Sequence, residues 1–179
     1  MPLMSAAPSH LWLIDFQARL LPAINEGAAA VENARRLAEA AALLSIPVTR
    51  TEQYPRGLGP TVPALAGHGA SIEKMTFGSC ATPAFRAALD ADKTDKLHIV
   101  AGCEAHVCVL QTVLGMIDLG HRVAVVADAV GSRTPANKAA ALARMAAHGA
   151  DIVTTEMVIF EWLGSAEHPE FRALSSLIK

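Results

Sequence analysis

Short apolar runs alternate with longer, alanine-rich runs of helical periodicity along the 179 residues of the chain. The apolar runs are bounded by turn residues and have the length of single β-strands. Six strands are predicted, at residues 11–16, 46–51, 71–75, 98–101, 122–127 and 151–154. Strands that are apolar throughout and separated by helices form parallel sheets, which helices cover on both faces. The alternation therefore predicts an α/β fold.

The helical runs complete this prediction. Four helices are predicted from their apolar spacing, caps and breakers, at residues 28–44, 82–89, 107–119 and 135–148. Residues 54–69 are rich in glycine and proline and are predicted to be irregular. We predict one domain over residues 1–179, a three-layer Rossmann-like arrangement. Its six-stranded, mainly parallel sheet is flanked by helices and joined by right-handed crossovers.

Composition excludes several classes of protein. Hydrophobic residues make up 52% of the chain and charged residues 18%, which is typical of a globular protein with a large core. The formal net charge is −2 and no stripe of lysine and arginine is present, so we expect no nucleic-acid and no membrane partner. No apolar run approaches the roughly 18 residues of a membrane span, and no signal peptide is evident. A cytoplasmic location with reduced thiols is therefore expected.

Three chemically active side chains follow predicted strands. Asp15 lies at the end of the first strand, Lys74 at the end of the third, and Cys108 in the turn that joins the fourth strand to a helix. Parallel sheets bind ligands beyond the carboxyl ends of their strands, so the three side chains should share one edge. A cysteine at a helix start lies near the positive end of the helix dipole and near free backbone N–H groups. These stabilise a thiolate and an oxyanion.

Each of these residues also has an ordinary structural interpretation. Aspartate is common in turns, lysine is usually solvated, and an isolated cysteine is most often a small buried hydrophobic residue. The shared placement at strand ends favours a nucleophilic cysteine hydrolase, in which Asp15 transfers protons and Lys74 lowers the pKa of the Cys108 thiol. Cys103 is expected to be packed and inert, and Cys80 to be structural.

Three motifs resemble those of a known family. They are Leu13-Ile14-Asp15-Phe16-Gln17, then Glu73-Lys74 with Phe77, and Gly102-Cys103-Glu104-Ala105-His106-Val107-Cys108-Val109. In this order they resemble the isochorismatase-like cysteine hydrolase superfamily, which includes nicotinamidases and N-carbamoylsarcosine amidases. The resemblance covers nearly the whole chain. Residues 52–61, 127–133 and 155–161 are most similar to the isochorismatase-domain-containing subfamily.

The resemblance implies a role for each site residue. Cys108 would be the nucleophile, Asp15 the general acid and base, and Lys74 the residue that tunes both. The nucleophile turn of the family contains a non-proline cis peptide bond, which would fall at Cys103–Glu104. The backbone N–H groups of Glu104 and Cys108 would form the oxyanion hole.

Four further side chains are expected to shape the pocket for a small-molecule substrate. They lie in loops beside the strand ends and are Phe16, Leu20, Tyr54 and Phe77. The sequence does not identify the substrate itself.

The sequence also departs from the family pattern. Nicotinamidases carry a metal-binding Asp-x-His after the second strand, where this chain has Glu52, Gln53 and Tyr54, and His68 alone is an ordinary loop histidine. We therefore expect no metal and no other cofactor. Ala105 stands where the family commonly has threonine, which removes a hydroxyl group but leaves the backbone donors.

The presence of Cys108 also bears on the substrate. Family members that cleave a vinyl ether do so without a cysteine nucleophile, so another reaction is favoured here. The leading hypothesis is a metal-independent hydrolase of a small amide or related C–N compound, acting through a thioester. The alternative is a catalytically silent member that serves as a binding or scaffold protein. A third hypothesis, a redox-sensing thiol protein, depends only on the closeness of Cys103 to Cys108.

Self-association is expected from the hydrophobic content and from a late apolar stretch at residues 157–163. The family resemblance also implies a homo-oligomer, either a dimer or a larger assembly. In the alternative, this stretch packs on the sheet of its own chain.

Overall fold

The computed structural model describes residues 3–91 and 96–178. Its sheet consists of β1 (Ser9–Ile14), β2 (Val48–Gln53), β3 (Ala70–Lys74), β4 (Leu97–Cys103), β5 (Arg122–Gly131) and β6 (Asp151–Val153). The strands are arranged in the order β3-β2-β1-β4-β5-β6, and every neighbouring pair is parallel. The predicted six-stranded α/β sheet is therefore confirmed, and it is parallel throughout.

Helices cover both faces of this sheet. They are α1 (Gly27–Leu43), α2 (Pro55–Leu58), α3 (Pro63–Ala66), α4 (Pro83–Ala91), α5 (Leu110–Asp118), α6 (Pro135–Ala147), α7 (Thr155–Leu163) and α8 (Phe171–Leu177). One core cluster joins the sheet to α1, α7 and α8, and a second joins the opposite face to α4, α5 and α6. These are the three layers that the alternation of strands and helices predicts.

The central strand β1 shows why an unbroken apolar run indicates a sheet covered on both sides. Its side chains alternate between the two core clusters, with Leu11 and Leu13 on the α1 face and Trp12 and Ile14 on the α5 face. All four are at most 1% exposed. Burial of a large apolar side chain stabilises a fold by roughly 1.5–3 kcal/mol, so β1 contributes to both layers at once.

The observed strands differ from the predicted ones mainly at their ends. β1 stops at Ile14 because Asp15 leaves the extended conformation, with φ of 51°. β5 continues to Gly131, beyond the predicted end at residue 127. It pairs again with β4 after a register shift between Val100 and Gly102. A strand that continues after a register shift is not visible in the hydrophobic pattern, so the end of β5 was predicted too early.

Several helices have no counterpart in the sequence-based prediction. α2 and α3 are single turns within residues 54–69, and each begins with a proline, whose fixed φ suits the first helical position. α7 follows β6 after Thr154, whose side chain caps the helix by accepting a hydrogen bond from the Met157 N–H. Most positions of α7 are apolar, so it lacks the one-sided period that identifies a surface helix in a sequence.

The late apolar stretch forms most of α7 and is divided between core and surface. Four of its side chains are buried in the cluster on the α1 face: Val158, Ile159, Trp162 and Leu163. This part packs on its own sheet, as the alternative proposed. Met157 and Phe160 are 45% and 43% exposed, and only this part of the stretch is available for contact with another chain.

The strand order defines where a ligand can bind. The chain first builds the sheet outward from β1 through β2 to β3, and then returns to the other side of β1 with β4. Such a switch point opens a crevice beyond the carboxyl ends of the two central strands, β1 and β4. In the part of the chain that the structure describes, no helix is both long and apolar enough to cross a membrane.

Candidate active site

Asp15 lies directly after β1, at the switch point, and is completely buried. Its φ of 51° falls in the left-handed region, which aspartate tolerates better than most residues. Thr51 of the neighbouring strand β2 donates a hydrogen bond from Oγ1 to Asp15 Oδ1 at 2.7 Å. The Asp15 N–H donates to the Thr51 carbonyl oxygen at 3.1 Å. The carboxylate is therefore held in one orientation by β2.

Lys74 ends β3, and its side chain is also fully buried. Its Nζ donates to Asp15 Oδ2 at 2.6 Å and to the carbonyl oxygens of Phe77 and Thr76 at 2.9 and 3.2 Å. Three acceptors match the three protons of an ammonium group, so this buried charge is both paired and hydrogen-bonded. Removal of either charged partner would leave the other uncompensated, which is strongly destabilising.

The turn after β4 places Cys108 at the same edge. Gly102 is required there because a Cβ would lie 2.4 Å from the carbonyl oxygen of Ile14 in β1. The peptide bond between Cys103 and Glu104 is cis, as the family resemblance implies. Ala105–Val109 then form a π-helical turn that contains Cys108 and leads into α5. Single π-helical turns of this kind are frequent at functional sites.

The Cys108 side chain is 7% exposed, and its pKa is raised to about 12. Burial is the largest cause, and the charge of Asp15 and a hydrogen bond between the thiol and the Asp15 carboxylate raise the pKa further. Lys74 and the backbone N–H of Glu104 lower it. Lys74 lowers the pKa of the thiol as predicted, but burial and Asp15 raise it by more, so the expectation of a thiolate near neutral pH is not borne out. The raised pKa favours the neutral thiol.

Cys103 occupies the opposite face of the sheet from Cys108. It is fully buried in the cluster on the α1 face, and burial raises its pKa to about 12. Cys80 lies beside α5, and burial raises its pKa to about 11. All three thiols are free. The packed, inert role expected for Cys103 agrees with this environment, and its sequence closeness to Cys108 does not bring the two thiols to one face.

The four residues expected to line the substrate pocket separate into two pairs. Phe16 is 1% exposed in the core on the α1 face, and Leu20 packs against the same cluster, so their predicted place in a pocket is not observed. After Asp15 the chain buries Phe16 fully and Leu20 partly against this cluster. Tyr54 and Phe77 are 46% and 53% exposed beside the ends of β2 and β3. A cavity of about 320 Å³ lies next to them and is lined by Pro55, Glu73, Lys74, Met75, Thr76, Ala81, Thr82 and Pro83.

Residues at the position of the nicotinamidase metal ligands have structural partners. Glu52 Oε1 accepts hydrogen bonds from the Thr61 N–H and hydroxyl at 2.7 and 2.6 Å, and the Gln53 N–H donates to Gln17 Oε1 at 2.9 Å. Among the described residues, no group of three or more histidine, cysteine, aspartate or glutamate side chains is arranged to hold a metal ion.

One pair of charged residues beside the nucleophile was not predicted from the sequence. The carboxylate of Glu104 is bound by Arg133, which lies just after β5. Sequence analysis identified Glu104 only for its backbone N–H. An acidic side chain in a mostly apolar turn was the available signal, since a buried carboxylate requires a cationic or hydrogen-bonding partner.

The strand order and the cluster of Asp15, Lys74 and Cys108 at its switch point define a three-layer α/β protein with a hydrolase fold. The family model described as Isochorismatase domain matches residues 9–157. The chain therefore belongs to the isochorismatase family.

Known proteins resemble this chain over nearly its whole length. Isochorismatase domain-containing protein 2 from Homo sapiens is 40% identical over 172 residues, which cover 96% of this chain and 83% of that protein. The structure of MAR1 ribonuclease from Caenorhabditis elegans has a TM-score of 0.91 and 37% identity, covering 98% of this chain and 92% of that one. The YcaC gene product of Escherichia coli, described as an octameric hydrolase of unknown specificity, has a TM-score of 0.88 and 25% identity, covering 98% and 96%.

Proposed function

We propose that this chain is a metal-independent cysteine hydrolase that cleaves the C–N bond of a small amide or a related compound. The observation that carries the proposal is the buried carboxylate of Asp15, which contacts both the Lys74 ammonium group at 2.6 Å and the Cys108 thiol. A nucleophile in contact with a base that a third group orients is the usual arrangement for covalent catalysis.

In the proposed first step, the Cys108 sulfur attacks the carbonyl carbon while its proton passes to the Asp15 carboxylate. The C–S bond forms, and the carbonyl oxygen becomes an oxyanion that the backbone N–H groups of Glu104 and Cys108 stabilise. Asp15 then returns the proton to the leaving nitrogen as the C–N bond breaks. Lys74 holds Asp15 in place through this exchange.

In the second step, a water molecule hydrolyses the thioester. Asp15 accepts a proton from the water molecule while the water oxygen bonds to the carbonyl carbon of the thioester. The C–S bond then breaks. The proton then passes to the departing sulfur, which restores the neutral Cys108 thiol. The high pKa of this thiol makes a nearby base necessary, because the free thiolate is scarce at neutral pH.

The test is a screen of small amides and ureides for release of ammonia or amine. We expect turnover of at least one compound by the wild type, none by Cys108→Ala, and most of the activity in Cys103→Ala, the matched control. Mass spectrometry should find the acyl group on the peptide that contains Cys108. Full activity of Cys108→Ala would reject the proposal, and binding of a compound without turnover by any variant would favour the scaffold alternative.

The Caenorhabditis elegans protein of similar structure is named a ribonuclease, so RNA is included in the screen as a further substrate. A single-stranded RNA oligonucleotide tests whether a ribonuclease activity extends to this chain. We expect no cleavage, because the net charge of −2 offers little attraction to phosphates. Cleavage of RNA that persists in Cys108→Ala would contradict the proposed reaction.

We also propose that the chain acts in the cytoplasm as a homo-oligomer. Three free thiols suit a reducing compartment. Self-association is supported by the exposed Met157 and Phe160 of α7 and by the octameric state that the description of the Escherichia coli neighbour gives for that protein.

A further inference from the structure

The side chain of Glu104 is buried beside the nucleophile and has one ionic partner. Glu104 is 5% exposed, and Arg133 binds its carboxylate with two parallel hydrogen bonds, from Nε to Oε1 at 2.9 Å and from Nη2 to Oε2 at 2.7 Å. The Arg133 N–H also donates to Oε1 at 3.3 Å. Such a bidentate pair restricts both distance and orientation, more than a single charge contact does. The pair connects the turn after β4 to the segment after β5.

The main chain of the same residue belongs to the turn that carries the nucleophile, and the backbone N–H of Glu104 lowers the pKa of the Cys108 thiol. The carbonyl oxygen of Glu104 accepts hydrogen bonds from the Val107 and Val109 N–H groups at 3.1 and 3.2 Å. Glu104 therefore organises the π-helical turn around Cys108 with its backbone, while its side chain is held from outside by Arg133.

A second contact joins the same two segments. His106, in the nucleophile turn, makes a hydrogen bond through Nδ1 with the Ser132 hydroxyl at 3.0 Å. Its Nε2 faces the Asn137 side-chain amide at 3.4 Å. Ser132 is 1% exposed, and its carbonyl oxygen accepts from the Asn25 N–H at 3.0 Å. The polar side chains of the turn are therefore both directed to the segment that begins after β5.

We propose that Arg133 is a positioning residue: through its bidentate pair with Glu104 it holds the π-helical turn around Cys108 in one geometry and so sets the reactivity of this thiol. The geometry suits this role because Arg133 reaches a buried carboxylate, one residue after the end of β4, from the segment that follows β5. The Arg133 side chain is 60% exposed, so it contributes little to the core.

Alkylation of Cys108 by iodoacetamide tests this proposal. The rate constant of each cysteine is measured by peptide mass spectrometry between pH 7 and 10 for the wild type, Arg133→Ala, Arg133→Lys and Glu104→Gln. A turn released from Arg133 no longer directs the Glu104 N–H, which lowers the pKa of the thiol, so at any fixed pH Cys108 in Arg133→Ala should react about tenfold more slowly. Arg133→Lys should recover part of the rate, because lysine keeps the charge but not the two parallel donors. Cys80 should react equally in all variants.

Arg35 provides a matched control. It binds Glu32 on α1 with the same geometry, from Nε at 2.9 Å and from Nη2 at 2.7 Å. α1 covers the face of the sheet opposite to the cluster that contains Cys108. Arg35→Ala should leave the alkylation of Cys108 unchanged. A purely structural role for Arg133 predicts a lower melting temperature in Arg133→Ala with an unchanged rate, and this result would overturn the proposal. A faster reaction of Cys108 would overturn it as well.

The inference rests on the proposed role of Cys108 as nucleophile, but its test needs no substrate. Absence of turnover in the amide screen, with the expected ranking of alkylation rates, would reject the proposed function and leave the positioning role intact. Turnover with equal alkylation rates in all variants would reject the positioning role alone. If Arg133→Ala does not fold, Arg133→Lys and Glu104→Gln decide the question, since both keep a polar side chain of similar length.

Discussion

Asp15 has several partners at once, and the chemistry of the site depends on this. Its carboxylate accepts hydrogen bonds from Thr51 and Lys74 and contacts the Cys108 thiol, all without exposure to solvent. A buried carboxylate would be costly without these partners. Burial and the charge of Asp15 raise the pKa of Cys108 by more than Lys74 lowers it. The neutral thiol is therefore favoured at neutral pH.

The substitution Asp15→Asn destabilises the fold, because Lys74 loses its charged partner, and in the folded fraction it separates the two effects of this carboxylate. It removes the charge that raises the pKa of Cys108 while leaving Lys74, so the thiol should ionise more easily and react with iodoacetamide about tenfold faster at pH 8. Turnover of any amide found in the screen should fall at least about a hundredfold, because the proton acceptor is lost. Asp90→Asn, at an exposed aspartate beside Arg86, is the control. A fall in the alkylation rate of Cys108 together with the fall in turnover would contradict the role of Asp15 in raising the pKa of the thiol.

The buried thiol of Cys103 makes stability depend on alkaline pH. Its pKa in the folded chain is about 12, above the usual value of a free thiol. The protonated Cys103 thiol therefore contributes its full stabilisation of the folded state below about pH 8.5. This stabilisation is lost as the pH rises toward 12. Between pH 8 and pH 10 the free energy of unfolding should fall in the wild type by about 2 kcal/mol more than in Cys103→Ala.

Urea unfolding of both proteins at the two pH values measures this difference. The comparison cancels the other groups that titrate in this range, because they are common to the two proteins. Equal losses of stability would show that the Cys103 thiol ionises in the folded state as easily as in the unfolded one.

At the scale of elements, the site is built where the carboxyl ends of three strands bring their side chains together. β1, β3 and the turn after β4 each supply one side chain, although β2 lies between β1 and β3. Lys74 crosses this gap because a lysine side chain is long, and the carbonyl oxygens after β3 hold its Nζ beside Asp15. The close approach of β4 to β1 at Gly102 brings the nucleophile turn to the same point.

Gly102→Ala tests the need for this close approach. A Cβ at Gly102 would meet the Ile14 carbonyl oxygen at 2.4 Å and Ile14 Cβ at 2.6 Å, so β1 and β4 would have to separate. The free energy of unfolding should fall by about 2–3 kcal/mol, with loss of amide turnover. Gly67→Ala is the matched control, because a Cβ there has no neighbour within 4 Å. If Gly102→Ala is as stable as Gly67→Ala, β1 and β4 can separate at this point without loss of free energy of unfolding.

At the scale of the whole molecule, the two core clusters on either side of one sheet account for most of the apolar residues. The apolar side chains that remain exposed include Met157 and Phe160 on α7 and Tyr54, Met75 and Phe77 beside the active-site edge. The two groups lie on different elements.

Sedimentation velocity at micromolar concentration tests the assembly. We expect a mass of at least a dimer, and a shift toward the monomer in Met157→Asp/Phe160→Asp, because two charges would have to be buried at the contact. Leu43→Asp, at a residue of α1 that is 46% exposed, is the control and should keep the wild-type mass. A monomeric wild type would reject self-association.

The sequence by itself determined the class of fold, because unbroken apolar strands between helices have only one stable arrangement, a parallel sheet covered on both faces. It also predicted that Asp15, Lys74 and Cys108 lie at one edge of the sheet, since strand ends in such a sheet share one edge. Phe16 and Leu20 could not be placed in this way, because the direction of the chain after Asp15 depends on a left-handed backbone conformation and on contacts with distant elements.

The protonation of Cys108 and the partner of Glu104 were decided only by the tertiary structure. Lys74 and Asp15 are 59 positions apart, and Glu104 and Arg133 are 29 apart, so neither pair is visible in a local pattern. Whether a lysine activates a thiol or neutralises a carboxylate depends on distances of a few ångströms in a medium of low dielectric constant. Those distances are set by how β1, β3, β4 and β5 pack together, which is a property of the whole fold.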